Sequence, residues 1–230
     1  MKLDKNLQVF ADFFLPRFCL CCNEKLDPVT KVICDNCFSQ IKTVDQTRLA
    51  FEFNKKFYED NIIENFFSLF LFEATGNIQT LIHELKYNNK FTLGIFLGKH
   101  LAEASKEILN TEAIDLIIPM PLHSLKKAER GYNQAYFIAK GFAKIVDKPI
   151  TTKAVKRKKY TESQTKLTAE ERKENIRDAF RVSSSKQTEN KNVLLIDDVI
   201  TSGATVSALG RELKENNADR IFAVSVALAG

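Results

Sequence analysis

Val193-Leu-Leu-Ile-Asp-Asp-Val-Ile-Thr-Ser-Gly-Ala-Thr205 is the stretch whose reading decides the fold. Four apolar residues, Val193 to Ile196, form a strand long enough to be buried on both faces, as in parallel sheets. Two adjacent carboxylates, Asp197 and Asp198, follow at its C-terminal end, where open α/β sheets place their ligands. Thr201-Ser-Gly-Ala-Thr205 then turns into a helix. Backbone N–H groups at a helix N-terminus favour an anion, the hydroxyls of Thr201, Ser202 and Thr205 add donors, and Gly203 allows close approach of the backbone. Acids beside a phosphate cradle fit a ligand that is part sugar and part phosphate. The acids take vicinal hydroxyls, while Thr201, Ser202, Gly203, Ala204 and Thr205 hold the phosphate. The competing reading is an ordinary helix cap with two solvated acids. Neither G-x-x-x-x-G-K-[ST] nor G-x-G-x-x-G after a strand occurs in the chain.

Outward from this segment, strands and helices alternate. Phe66–Phe72 reads as a strand, Asn77–Tyr87 and Leu93–Leu109 as helices, and Ala113–Ile118 as a strand ending at Pro119. A helix over Asn133–Val146, a strand within Lys148–Val155 and a charged helix over Ala169–Asp178 follow. Asn192–Ile196 (strand), Ala204–Asn216 (helix) and Ile221–Leu228 (strand) complete the pattern. It predicts an α/β fold, a mostly parallel sheet with helices on both faces. Thr43–Glu64 has no clear period and reads as an irregular connection, and Leu3, Leu7, Phe10, Phe13 and Phe14 fall at the spacing of a short amphipathic helix.

All five cysteines lie between Cys19 and Cys37. Cys19 and Cys22 form one C-x-x-C, Cys34 and Cys37 a second, with eleven residues between the pairs. Two such turns supply the four thiolates of a closed, tetrahedral zinc site, structural rather than catalytic because no position is open to substrate. An odd cysteine count fits full disulfide pairing poorly, and Cys21 is the spare thiol. The expected organisation is a helix and zinc module over residues 1–45, followed by an α/β domain over residues 60–230.

The composition is 44% hydrophobic and 27% charged, with 34 basic against 29 acidic residues, a net charge of +5. That excess is too mild to indicate nucleic acid by itself, but Lys153, Lys156, Arg157, Lys158 and Lys159 fall together with no acid among them. The run is either a solvated loop or a phosphate-contacting one, and Lys156, Arg157, Lys158 and Lys159 are its candidate DNA-binding residues. No segment has the roughly 18 uncharged apolar residues of a spanning helix, nor the pattern of a secretory signal, so a cytoplasmic protein without membrane insertion is expected.

The segment Val193–Thr205 resembles the phosphoribosyl pyrophosphate signature of type I phosphoribosyltransferases. The resemblance implies that Asp197 and Asp198 bind the ribose 2′- and 3′-hydroxyls and that Thr201–Thr205 binds the 5-phosphate. It also implies a pyrophosphate displaced from the anomeric carbon with magnesium present. Ile118-Pro-Met-Pro-Leu-His123, Arg130-Gly-Tyr-Asn-Gln-Ala135, Thr161-x-x-Gln164, Glu171-Arg172, Asn175, Ala179-Phe180 and Lys86-Tyr87, with the cysteine module, are similar to the ComF family of competence-associated proteins. That resemblance spans about Cys19 to Gly230. It implies a role in handling incoming single-stranded DNA, with single-stranded DNA and a competence helicase as partners. Arg130, read as part of a polar loop opening a helix, suits a pyrophosphate or a nucleic-acid phosphate. Ligands consistent with these readings are phosphoribosyl pyrophosphate and nucleoside monophosphates. The activity stays open between a phosphoribosyltransferase acting on an unidentified acceptor, a nucleic-acid-handling protein and a non-catalytic sensor.

Overall fold

The computed structural model describes residues 14, 16–27, 30, 32–109, 113–158 and 179–229. The expected helix around Leu3–Phe14, the charged helix over Ala169–Asp178 and the motif residues Gln164, Arg172 and Asn175 lie outside them, apart from Phe14. Lys159 also lies outside.

The cysteine module contributes one short helix, α1 (Asp35–Ser39), capped by the Cys34 side chain on the Cys37 N–H. Residues 42–44 then run antiparallel to the end of β1 (Asn65–Leu71), with Leu71 N–H on the Lys42 carbonyl at 2.9 Å and Val44 N–H on the Leu69 carbonyl at 3.1 Å. Between them the chain is helical, which corrects the irregular connection expected for Thr43–Glu64. Asp45 caps helix α2 (Gln46–Phe53), which passes into a π-helical turn over Asn54–Tyr58. Its signal is weak because two of the charged side chains that break the apolar pattern, Glu52 and Lys56, are buried as a pair.

After β1 come α3 (Asn77–Tyr87) and the long α4 (Phe91–Leu109), then β2 (Leu116–Pro119), a short α5 (Ser124–Arg130) and α6 (Gln134–Val146). The strand expected within Lys148–Val155 is a single parallel bridge from Ile150 to Ile117, followed by β3 (Val155–Arg157). β3 pairs antiparallel with β4 (Phe180–Val182) as a small separate sheet. β5 (Val193–Ile200), α7 (Ala204–Glu215) and β6 (Ile221–Leu228) complete the described chain.

The main sheet has the order β1-β6-β5-β2, all parallel, with β5 and β6 at its centre. Every residue of β6 is buried, the signature of a strand covered on both faces. α4 and α6 pack against each other and against the sheet. The step from β5 to β6 runs the other way across the sheet, so a right-handed crossover carries α7 to the opposite face. There α7 crosses close over Ile62, Ile63 and Ile221 at Gly210. The expected mostly parallel sheet with helices on both faces is therefore present.

The α4–α6 crossing is set by small residues. A Cβ added at Gly98 would stand 1.9 Å from the Ile138 carbonyl oxygen, and one at Gly141 would stand 2.2 Å from that of Ile95. Both obstacles are backbone, so neither can turn aside. Gly98→Ala and Gly141→Ala are each expected to destabilise the fold by about 3 kcal/mol or more, at or beyond the upper end of ordinary overpacking. Equilibrium denaturation in urea checks this, and a loss under about 1 kcal/mol would contradict the close crossing.

Candidate functional site

The acid pair sits where the sheet becomes one-sided. β2 pairs with β5 from Leu116↔Val193 to Pro119↔Ile196 and stops, while β6 continues beside β5 to Leu228↔Ile200. The strand thus extends past Asp197 and Asp198 instead of ending at them, and the pair is open on the flank that β2 leaves. With no strand on that side, the Asp198 N–H turns to the Asp197 carboxylate at 2.9 Å, and the Val199 N–H to that of Asp198 at 2.9 Å.

The electrostatics of the two acids differ. Burial, then the charge of Asp198, holds the Asp197 carboxyl well above the ordinary range. Burial, the largest single effect, would raise Asp198 too, but the charge of Lys86 together with hydrogen bonds from Asp197, Lys86 and the Val199 N–H draws that carboxyl below its usual value. Lys86 Nζ stands 3.1 Å from Asp198 Oδ2. That oxygen is nevertheless buried without a well-directed hydrogen bond, so it keeps capacity for a donor or a hard cation.

Lys86 is delivered by the last turn of α3, and the Arg130-Gly-Tyr-Asn-Gln motif holds that turn in place. The Tyr132 hydroxyl donates to the Leu85 carbonyl, and Gln134 Nε2 donates to the Lys86 carbonyl at 3.4 Å. These are orphan carbonyls of a helix end, which side chains of a neighbouring element can satisfy. Asn133 caps α6 and donates to the Met120 carbonyl at 2.9 Å, fixing the loop after β2. Gly131, at φ 74°, makes the left-handed turn out of α5. Arg130 is therefore the last residue of a short helix, not part of a loop. It donates to Gln134 Oε1 at 3.2 Å and lies over the Tyr87 ring at 5.6 Å, while its Nε is buried without a partner.

Cations gather near the acids. Lys126 is pushed down by burial, then by the charges of Arg130, Arg157 and Lys86, which places the four together. Arg157 is pushed down by burial and opposed by Asp197, and its guanidinium lies 5.4 Å above the Phe180 ring. The strand alternation of β3 thus divides the basic run: Arg157 turns toward the acids, while Lys156 and Lys158 are exposed. In the sequence Lys86 stands out only within a motif, and Lys126 does not stand out at all. A lone lysine in a helix carries no signal of what it will face.

The loop after β5 has Thr201 and Ser202 exposed and Gly203 buried at φ 77° as the N-cap of α7. The interior also requires Gly203, because a Cβ there would stand 2.8 Å from Phe57 Cε1.

At the other end of α3, the Sγ atoms of Cys19, Cys22, Cys34 and Cys37 all lie within 4.8 Å of one another. Cys22 and Cys34 are 3.8 Å apart, which matches the edge of a tetrahedron with Zn–S bonds of about 2.3 Å. Backbone N–H groups of Cys21 and Cys34 point at Cys19 Sγ at 3.5 and 3.4 Å, and that of Cys37 points at Cys34 Sγ at 3.5 Å. The four cysteines can hold a metal ion such as zinc. Cys21 stays outside, its Sγ turned to the Asn77 carbonyl, and burial with the neighbouring thiolates pushes it up to about 12. Asn77 also donates to the Cys37 carbonyl at 2.9 Å, so the module is seated on the first turn of α3.

The model of the phosphoribosyl transferase domain matches residues 98–229. The chain belongs to that family. Competence protein F of Haemophilus influenzae is 32% identical over 148 residues, covering 63% of this chain and 65% of the relative. The DNA utilization protein YhgH of Escherichia coli is 28% identical, covering 61% of this chain and 63% of its own length. Both alignments thus span a little under two thirds of the relatives. With the four clustered cysteines they bear out the ComF resemblance. Among solved structures, the glutamine phosphoribosylpyrophosphate amidotransferase of B. subtilis complexed with ADP and GMP is 18% identical with a TM-score of 0.42. It covers 62% of this chain and 30% of its own, too distant to add to the assignment. No helix among the described residues is long and apolar enough to cross a membrane.

Protein purified without chelator is expected to carry one tightly held metal ion per chain by elemental analysis, as a closed four-thiolate site requires. Cys34→Ser should lose it and Cys21→Ser should keep it; a wild-type chain with less than about half an equivalent would contradict the site.

Proposed function

We propose that this chain binds a ribose 5-phosphate ligand, phosphoribosyl pyrophosphate or a nucleoside monophosphate, at the end of β5. The observation that carries the reading is the half-buried acid pair just before the N-terminus of α7, with Lys86 on Asp198, Arg157 interacting with Asp197, and Lys126 and Arg130 grouped with them. Asp197 and Asp198 accept the 2′- and 3′-hydroxyls, with Asp198 Oδ2 holding unused acceptor capacity. The backbone and hydroxyls of Thr201–Thr205 take the 5-phosphate, and Arg130 with its neighbouring lysines takes the pyrophosphate. Magnesium, when bound, would neutralise pyrophosphate charge, and the hard oxygens of Asp197 and Asp198 would suit it. Zinc is the metal assigned to Cys19, Cys22, Cys34 and Cys37, with a structural role.

The biological role we assign is in natural competence, in handling incoming single-stranded DNA. Two relatives, a competence protein and a DNA utilization protein, support it by their names. Lys156 on β3 and Lys158 just beyond it are exposed beside the site and offer a surface for a nucleic-acid backbone, and Lys159 follows them in sequence. The alternative is an active phosphoribosyltransferase of nucleotide metabolism. The family membership supports it, and a second substrate is needed to decide for it.

Calorimetry with magnesium present tests the ligand reading first. Wild-type protein should bind phosphoribosyl pyrophosphate or a nucleoside monophosphate below millimolar, and no binding of either ends the proposal. Asp197→Ala with Asp198→Ala should weaken that binding about 100-fold or more, since hydrogen bonds to charged groups are worth about 1.5–3 kcal/mol each. For DNA, fluorescence anisotropy with single-stranded oligonucleotides at several salt concentrations is the measurement. Neutralising Lys156, Lys158 and Lys159 together should make the salt slope shallower by about 0.7 for each DNA phosphate that these lysines neutralise in the wild type. An unchanged slope removes this segment from the DNA path.

A further inference from the structure

Glu52 lies in the helical segment between the cysteine module and β1, and its carboxylate is fully buried. Its oxygens stand 2.7 Å from Arg48 Nη2 and 2.9 Å from Lys56 Nζ, and the Lys56 side chain is itself only 5% exposed. From there the Lys56 ammonium group crosses to the far end of the chain. It donates to the Thr201 carbonyl and lies 3.5 Å from the Ala229 carbonyl. The next residue, Phe57, fills the space under Gly203, and Lys56 Cβ would be 3.1 Å from a Cβ there. The loop after β5 is thus held from the interior at Thr201 and again at Gly203. The segment that does this is a π-helical turn, a form that concentrates at functional sites.

A buried ion pair gains little net stability, because desolvation offsets most of the attraction. What this one does supply is direction. The peptide unit is planar and trans, so turning the Thr201 carbonyl toward Lys56 points the Ser202 N–H the opposite way. That is the exposed side of the loop, where Thr201 and Ser202 meet solvent. Without the ammonium group, the Thr201 carbonyl is free to rotate outward and to present its own negative end to an incoming anion.

We propose that Lys56, held by Glu52, is a positioning residue that sets the backbone of the Thr201–Thr205 loop to receive the 5-phosphate. The proposal rests on the reading of that loop as a phosphate site. Arg48, which remains half-exposed, completes the charge balance of Glu52.

The test compares wild-type protein with Lys56→Met, Lys56→Arg and the double variant Glu52→Leu, Lys56→Met. The readouts are calorimetry with ribose 5-phosphate and hydrogen exchange of the peptide covering residues 200–205. Lys56→Met alone leaves Glu52 short of a partner and lowers stability as well. The double variant removes both buried charges at once, a replacement that commonly leaves folding intact. It should keep its helical spectrum, exchange its loop amides about tenfold faster and bind ribose 5-phosphate at least about tenfold more weakly. Lys56→Arg, which keeps a buried cation, should restore binding to within about threefold of wild type. Lys56→Gln carries the same comparison should the double variant misfold. Wild-type loop exchange in a folded variant lacking the ammonium group overturns the inference. If wild-type protein does not bind ribose 5-phosphate, the phosphate reading of the loop fails. The exchange comparison then decides by itself whether Lys56 shapes the loop.

Discussion

Strand β5 has a hydrogen-bonded neighbour on each side as far as Ile196, and on one side thereafter, because β2 stops at Pro119 while β6 runs on to Leu228. Most of the site follows from this mismatch. Up to Ile196 the strand is apolar and enclosed; beyond it the ladder on one flank is missing, and the backbone turns to its own side chains for partners. Two carboxylates tolerate this position because one flank is left unpaired and Lys86 reaches Asp198 there. Placed a few residues earlier, between two paired strands, they would be charges without solvation, at a cost of several kcal/mol each. The strand-end mismatch therefore creates the crevice and permits the acids within it.

α3 joins the two ends of the molecule that carry chemistry. Its first turn receives the cysteine module through Asn77, and its last turn presents Lys86 to Asp198 while Tyr132 and Gln134 occupy its final carbonyls. The module is also packed against the body of the fold, with Phe38 against Phe70 and Phe96 at ring distances of 5.7 and 5.4 Å. A metal at the four cysteines would stiffen a structure that shares the core of the α/β domain.

The two charged clusters of the molecule contrast in their exposure. Near the acid pair, Lys126 is held below its ordinary value by burial and by the charges of Arg130, Arg157 and Lys86, a repulsion that a bound anion would relieve. Around Glu52 the carboxylate and the Lys56 side chain are paired and buried, with Arg48 half-exposed. The first cluster keeps an open flank, whereas the second is enclosed by the fold. The second reaches the loop that follows the acid pair, through Lys56 at Thr201 and Phe57 at Gly203.

The sequence by itself determined the elements whose pattern is local. Val193–Ile196 declared a buried strand, Asn77–Tyr87 and Ile221–Leu228 appear with the boundaries their periodicity implied, and paired C-x-x-C turns declared the cysteine cluster. The acid pair and the loop were legible because acids, hydroxyls and a glycine in that fixed order after an apolar strand have few other uses. Elements that depend on distant partners were not legible. The helix over Gln46–Phe53 hid behind charges that become buried only when Lys56 finds Thr201, 145 residues away. The inward turn of Arg157, the placement of Lys86 and Lys126 beside the acids, and the closing of the α4–α6 crossing on two glycines were equally hidden. Propensity and spacing act over a few residues. Burial of a charge or contact of two backbones is decided by which surfaces the whole chain brings together, and only the tertiary structure decided those.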